Sequence, residues 1–504
     1  MLLSAGVLSL TVPRAALADR WSIDAGVSSE VTRTTNADFG GTNSGADTIV
    51  DLRPHVRLHV DGARIKLSGA AAVSAIGYVD RTQPSRLEPD IDLVANVVAV
   101  ERLVFVDASA RAFQTSVNPF GARPDVGTTS ENSLTTAVYR LAPRIEGTTP
   151  GGGIRYRAES DNSWTHEFGA TTDVTGTGAA GYFGRHTLTV ARDPHPLGWQ
   201  LEGQHAETRY QDTSQSPLKI DLLRATVDYL FWEELTLGLR VGRENNNFAF
   251  AGEDTSGKVY GVQGRWVPSP RTDFNGYLEH RFFGSSWEIA FKHHTPHLAW
   301  NLTLSRLLES TPQSLLDLPP SENVVGLLDS LLTSRFPDPV ERARVVNDLI
   351  ARSGLPASTL QPIILRTERL SVVQLASASL TLLGVRNALT FTIYRTRTED
   401  LASGAPLALN DPAANNSQQG AQVELNHRLT PTTDLTASAD WSRITALDAV
   451  GDDRTIQRGV RLKVGRLVVP KTTVYAGARF RNLSSNTVPN AKEAAVFVGF
   501  DRRF

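Results

Sequence analysis

Over residues 492–504 the apolar positions recur every second residue: Ala494, Val496, Val498, Phe500 and the last residue, Phe504, share one parity, and Glu493, Ala495, Gly499, Asp501 and Arg503 the other. A period of two places successive side chains on opposite faces, so this is a strand with one oily and one wet face. Phe497 breaks the wet face; Arg502 breaks the oily one near its end, where a long side chain reaches an interface. The edge of a soluble sandwich and the wall of a closed membrane barrel both alternate in this way, and the rest of the chain has to decide between them.

The alternation runs throughout. Trp21, Ile23, Ala25 and Val27 interleave with Ser22, Asp24, Gly26 and Ser28; Leu52, Val56, Leu58 and Val60 come back around His55, Arg57 and His59 to a tight Asp61-Gly62 turn. Tyr260, Val262 and Trp266 oppose Gly261, Gln263 and Arg265, and Ala421, Val423, Leu425 and Leu429 oppose Gln422, Glu424, Asn426 and Arg428. Short turns at 100–102, 146–153, 194–197, 232–234, 268–272, 294–297, 384–387, 430–433 and 466–471 alternate with longer polar stretches at 81–88, 118–133, 165–184, 211–217, 246–256, 309–366, 398–417, 448–453 and 482–490. One link, 283–286, is short where a long one is due. The spacing predicts roughly 22 strands, within about 18–22, with both termini on the short-turn side. Sandwich strands average about 5 or 6 residues, whereas these reach about 10, the length that spans a bilayer at barrel tilt. The expected fold is an all-β, antiparallel, up-and-down outer-membrane barrel. Tyr78, Phe113, Trp199, Tyr210, Phe231, Trp232, Trp266, Trp287, Trp300 and Trp441 fall near strand ends, as interface girdles would.

Residues 309–366 leave the strand rhythm. Val324, Val325, Leu327, Leu328, Leu331 and Leu332 follow Pro319-Pro320, and Asp338, Pro339 and Glu341 make a capping box ahead of Val345, Val346, Leu349 and Ile350, stopped by Gly354. Two short amphipathic helices are expected, their stripes buried in a plug inside the barrel or a cap over its mouth. The plug or gate candidates are Val324, Leu328, Leu331, Asp338, Glu341, Val345 and Leu349.

Bulk properties fit this reading. A chain of 504 residues exceeds one ordinary soluble core, and a net charge of −2 with 21% charged residues points to no nucleic-acid partner. Cysteine is absent, which removes thiolate chemistry and suits transit through an oxidising periplasm. Residues 1–18 read as a signal peptide, with an apolar run over 2–12 and a cleavage site at Ala16-Leu17-Ala18, although no basic residue precedes the run. The mature barrel is then 19–504, in contact with outer-membrane lipid and handled by the barrel-assembly machinery through the strand ending at Phe504.

Candidate chemistry is sparse. Adjacent His293 and His294 point to opposite faces of a strand and share no metal, and His280 and His297 read as interface or turn residues. Gly151-Gly152-Gly153 is a turn, not a phosphate loop, and neither a cofactor nor a catalytic set is expected. The inner wall carries the functional reading. Arg155, Arg157, Glu159, Glu202, Arg224, Asp228, Arg240, Glu244, Glu279, Arg281, Glu288, Lys292, Asp440, Arg461, Lys463, Arg479, Asp501 and Arg503 all fall on the wet parity. Mixed signs suit a neutral, hydroxyl-rich solute better than an ion, although a barrel has to pair its inward charges in any case.

The barrel pattern with Val104 to Phe113 running into Asn118-Pro119-Phe120-Gly121, the turn Ser269-Pro270-Arg271-Thr272, then His280-Arg281-Phe282-Phe283-Gly284, His294-Thr295-Pro296, Phe336-Pro337-Asp338-Pro339-Val340-Glu341-Arg342 and Arg386-Asn387, in that order, resemble the PEP-CTERM system-associated outer-membrane proteins. The resemblance implies a barrel working beside exopolysaccharide and exosortase machinery in a Gram-negative envelope, with no catalytic residues to carry over. The expected function is a non-enzymatic conduit for polysaccharide or oligosaccharide. The alternatives are a structural or assembly barrel and an outer-membrane hydrolase.

Overall fold

The computed structural model describes residues 20–41, 45–123, 132–168, 180–211, 217–247, 256–317, 332, 345, 360, 362–364, 370–401, 415–447 and 453–504. They form β1 (Arg20–Thr34), β2 (Asp47–Asp61), β3 (Ile65–Tyr78), β4 (Arg86–Val100), β5 (Val104–Ser116), β6 (Ser133–Thr148), β7 (Arg155–Phe168), β8 (Gly181–Arg192), β9 (Leu197–Tyr210), β10 (Leu218–Trp232) and β11 (Leu235–Asn246). Next come β12 (Gly257–Ser269), β13 (Thr272–Arg281), β14 (Gly284–Thr295), β15 (Leu298–Ser310), the short helix α1 (Thr311–Asp317), β16 (Leu370–Leu383), β17 (Asn387–Asp400), β18 (Asn416–Thr430), β19 (Thr433–Ala446), β20 (Arg454–Val469), β21 (Thr472–Ser485) and β22 (Ala491–Arg503).

Every strand pairs antiparallel with its sequence neighbour, and β1 returns to β22 from Gly26 opposite Arg503 through Thr34 opposite Ala495. The sheet therefore closes, and the sandwich alternative is excluded. With strands about 4.8 Å apart and tilted by about 40°, a ring of this size has a backbone radius of about 20 Å. On β22 Val496, Val498 and Phe500 are exposed while Glu493, Ala495 and Phe497 are buried. The break at Phe497 is filled from inside, by the Arg461 guanidinium over its ring at 4.6 Å and by Tyr475 edge-on.

Leu223, Val227, Leu239, Val241, Tyr260 and Val262 continue the exposed apolar face across β10–β12. An apolar band of this breadth far exceeds the patches that water tolerates, so the barrel is transmembrane and the band meets lipid. Among the described residues no helix is long and apolar enough to cross a membrane. Phe231, Trp232 and Trp266 lie exposed at the short-turn end, as a girdle should. Tyr78 and Phe113 do not belong to it: Tyr78 packs inside with Ala37, Ile49 and Ile76, and Phe113 against Leu315 of α1.

The short link lies at residues 282–283, between β13 and β14, so the wall is low there. Beyond β14 the end of β15 pairs only with β16, from Leu307 with Val373 to Ser310 with Leu370. This hairpin end leans inward over the dip: Leu308, Leu370 and Val372 pack against Leu218, Ile220, Phe282, Phe283 and Leu401. Thr208 Oγ1 on β9 donates to Ser310 Oγ at 3.1 Å, joining strands six apart in the ring. Glu309 and Ser310, placed in the insertion by the sequence pattern, are thus strand residues.

Candidate functional site: the barrel lumen

The interior is filled unevenly along its axis. Several inward charges near the short turns are open to solvent: Arg155 and Arg157 are roughly half exposed, and Glu288 and Lys292 are exposed, although Asp107 and Arg144 there are paired and mostly buried. Further along the strands they are buried and joined. Glu279 is the centre of one group. Its two oxygens receive Arg224 at 3.1 Å and Arg240 at 3.4 Å, Arg224 also holds Glu202 at 3.0 Å, and the Arg240 guanidinium lies 4.2 Å from the Tyr277 ring. Beside it Arg281 grips both oxygens of fully buried Glu244. Such forks suit the planar guanidinium and fix both partners.

The same pattern recurs around the wall. Arg140 holds Asp161 through two nitrogens, with Glu159 3.8 Å away; Arg479 and Arg481 converge on fully buried Glu493, which also accepts from Thr34 Oγ1 at 2.8 Å. Gln263 donates to Asp228, Arg461 approaches Glu30 at 3.7 Å, and Arg503 approaches Asp501 at 3.6 Å. Asp440 and Lys463 share this inward parity, Asp440 opposite Gln422 and Lys463 above the Tyr475 ring. Thus all the lumen candidates named above stand on the inner parity.

At the long-loop end the chain itself crosses the interior. Residues 117–123, after β5, reach the far wall: Phe120 packs with Ile444 and Ala446, its carbonyl accepts from Thr455 Oγ1 at 2.8 Å, and Arg123 N–H donates to Gln457 at 3.1 Å. The Arg123 guanidinium meets the Tyr394 hydroxyl on β17, almost diametrically across the ring from β5. Replacing Arg123 by Ala removes this anchor, and the expected result is larger or more frequent current steps in planar bilayers.

α1 extends from β15 to touch β6, β7 and β8, with Leu315 seated against Val138 and Ile364. Residue 363 is tied to the wall in both directions, its N–H to Gln418 Oε1 and Gln418 Nε2 to its carbonyl, each at 2.8 Å. Of the plug candidates only Val345 is described, helical and half-buried; Leu332, in the first expected helix, is helical and buried. Val324, Leu328, Leu331, Asp338, Glu341 and Leu349 lie outside the described residues, as does the signal-peptide region 1–18. A cavity of about 470 Å³ remains between this packing and the wall, floored by Arg224, Arg240, Glu279 and Glu288 and roofed by Leu218, Ile220 and Leu308.

No family model matches the chain, and no curated protein does. Among solved structures it is similar to OccK3 (OpdO) of Pseudomonas aeruginosa, at 9% identity over 96% of this chain and 96% of that one, with a TM-score of 0.33. It is also similar to a mutant ferric enterobactin receptor, PfeA, of Pseudomonas aeruginosa in complex with enterobactin, at 9% identity over 95% of this chain and 81% of that one, with a TM-score of 0.44. OmpT, an outer membrane protein of Vibrio cholerae, matches at 8% identity over 97% of this chain and 100% of that one, with a TM-score of 0.32. At such scores the likeness carries no argument, and the barrel rests on its own closure.

Sequence reasoning missed the apolar inner wall at the mouth. On β10 Leu218, Ile220 and Leu222 face in while Leu223, Val227 and Tyr229 face out, so the oily parity inverts at Leu222 and Leu223. That inversion is a readable signal: it marks where the interior is packed with chain and not with water. His293 and His294 do point apart: His293 lies tilted against Trp300 and takes Thr272 as partner. Among the described residues no group of three acidic or histidine side chains could hold a metal.

Proposed function

We propose that the barrel resides in a bacterial outer membrane and works as a gated conduit for a polysaccharide or oligosaccharide, alongside exopolysaccharide machinery of the PEP-CTERM kind. The observation that carries this reading is the axial gradient. A wide interior lined by both charge signs narrows into a mouth occupied by the chain's own residues 117–123, α1, 360 and 362–364. Inward charges have to be paired in any barrel, but a mouth closed by the chain's own segments over an open interior is the arrangement that a gated conduit needs. Mixed charge with Gln, Asn and Thr offers many weak hydrogen bonds, the chemistry that lets a hydroxylated chain enter and also leave.

Planar-bilayer conductance of the whole chain and of a variant in which residues 311–364, with α1 and the segment tied to Gln418, are replaced by a short Gly-Ser linker tests it. Small or rare openings are expected from the whole chain and sustained current, reduced by added oligosaccharide, from the variant. Silence from both overturns the conduit.

A further inference from the structure

Across β7 to β10 four polar side chains stand next to one another on the lipid side of the wall. Ser160 is the cross-strand partner of His186, His186 of His205, and His205 of Asp221. Each lies between lumen-side neighbours, as Ser160 does between Glu159 and Asp161, and shares its face with exposed Leu188, Leu201 and Leu223. Polar groups on this face lose free energy to lipid, and closing a barrel does not ask for them.

Their geometry is specific. Ser160 Oγ lies 2.8 Å from His186 Nδ1; the His186 and His205 rings are parallel within 9° at 6.1 Å; and His205 Nδ1 lies 2.6 Å from Asp221 Oδ1. Asn162 Nδ2 donates to Ser160 Oγ at 2.9 Å, and the Tyr182 hydroxyl donates to Asn162 Oδ1 at 2.8 Å. Tyr182 reaches that far because Gly184 lies beneath it: a Cβ there would stand 2.3 Å from the phenol oxygen. Gly203, between Leu188 and Leu223, has open space where its Cβ would be, a notch in the apolar wall beside His205.

We propose that Ser160 and His186 form an ester-cleaving site on the outside of the barrel, acting on a fatty-acyl ester of a membrane lipid. A hydroxyl within hydrogen-bond reach of an imidazole is the nucleophile and base of acyl transfer. Ser160 Oγ adds to the ester carbonyl while its proton passes to His186 Nδ1, the ring's own proton being on Nε2. The bond from the carbonyl carbon to the alcohol oxygen then breaks, that oxygen takes the proton from His186, and acyl-Ser160 remains. Water, deprotonated by the same nitrogen, adds to the acyl carbon; the bond to Ser160 Oγ breaks, Oγ takes the proton back from His186 and the fatty acid leaves, so one ester and one water give one acid and one alcohol. Asn162 Nδ2, which donates to Ser160 Oγ and to the Ser160 carbonyl, turns to the oxyanion as Oγ becomes an ester oxygen. The polar row continues through His205 to Asp221, nearer the long-loop end, and gives water a path down the wall. The Gly203 notch receives the acyl chain. None of this depends on the lumen or on what passes through it.

The test uses the whole folded barrel in mixed micelles with phosphatidylglycerol in one arm and lipid A in another, reading fatty-acid release, together with a fluorophosphonate probe and peptide mass spectrometry. Release in either arm, with the probe on Ser160, is expected, and the active arm names the lipid. Ser160→Ala and His186→Ala should each lose about 10³-fold or more while still migrating as closed barrels. Inactivity in both arms with Ser160 unlabelled overturns the proposal, as does equal release from Ser160→Ala.

Discussion

Glu279→Gln is expected to destabilise the folded barrel by about 3–5 kcal/mol, the usual effect of removing one partner from a buried ionic group. Glu279 is 2% exposed and serves Arg224 and Arg240 at once. With an amide in its place Arg224 keeps Glu202, but Arg240 keeps only the Tyr277 ring, and two buried cations face each other without the charge between them. Glu288→Gln is the control: exposed on the same inner wall, it should move stability by no more than about 0.5 kcal/mol. Urea titration of the barrel in lipid vesicles, followed by Trp fluorescence, reads both. Equal effects would mean that water reaches Glu279 as freely as Glu288, and the axial gradient would be lost with it.

Leu239→Arg is expected to destabilise the barrel in vesicles by about 2–4 kcal/mol, the penalty for a cation on the lipid face near the midplane of a bilayer. Leu239 is 66% exposed, and on a protein surrounded by water such a position tolerates Arg within about 0.5 kcal/mol. The size of the change therefore reports what surrounds the wall. Its neighbour Arg240 points the other way, buried at 7% exposure, so the pair also tests the parity of β11.

Most of the barrel was legible because a period of two, repeated over long strands, leaves little room for another fold. Strand number, the side on which short turns lie and the inward set from Arg155 to Arg503 all follow from that one regularity. The limits appear where two segments far apart in sequence decide the outcome. Tyr78 and Phe113 sit at strand ends like girdle residues but turn inward, because Ile76 and Leu315 offer them apolar partners. The low rim at 282–283 was visible as an anomaly; that β15 and β16 lean over it was not, since Leu308 meets Leu218 and Ile220 only after the ring has formed. The outer-wall row of Ser160, His186, His205 and Asp221 was hidden for the same reason. Each residue alone is a minor break in alternation, and only the register of four strands lines them up.

The junction of β1 with β22 is the one seam that no local hairpin can form. It joins Gly26–Thr34 to residues at the opposite end of the chain, and it is shorter than the β1–β2 ladder, which runs the full length from Arg20 to Thr34. All other neighbours can zip from a connecting loop, but these two edges meet only once the intervening sheet has curled round. Until that moment both present unpaired amides and carbonyls, which hydrocarbon cannot satisfy. Insertion of this chain is thus governed by its slowest contact, and the finished cylinder should begin to fray along the same line.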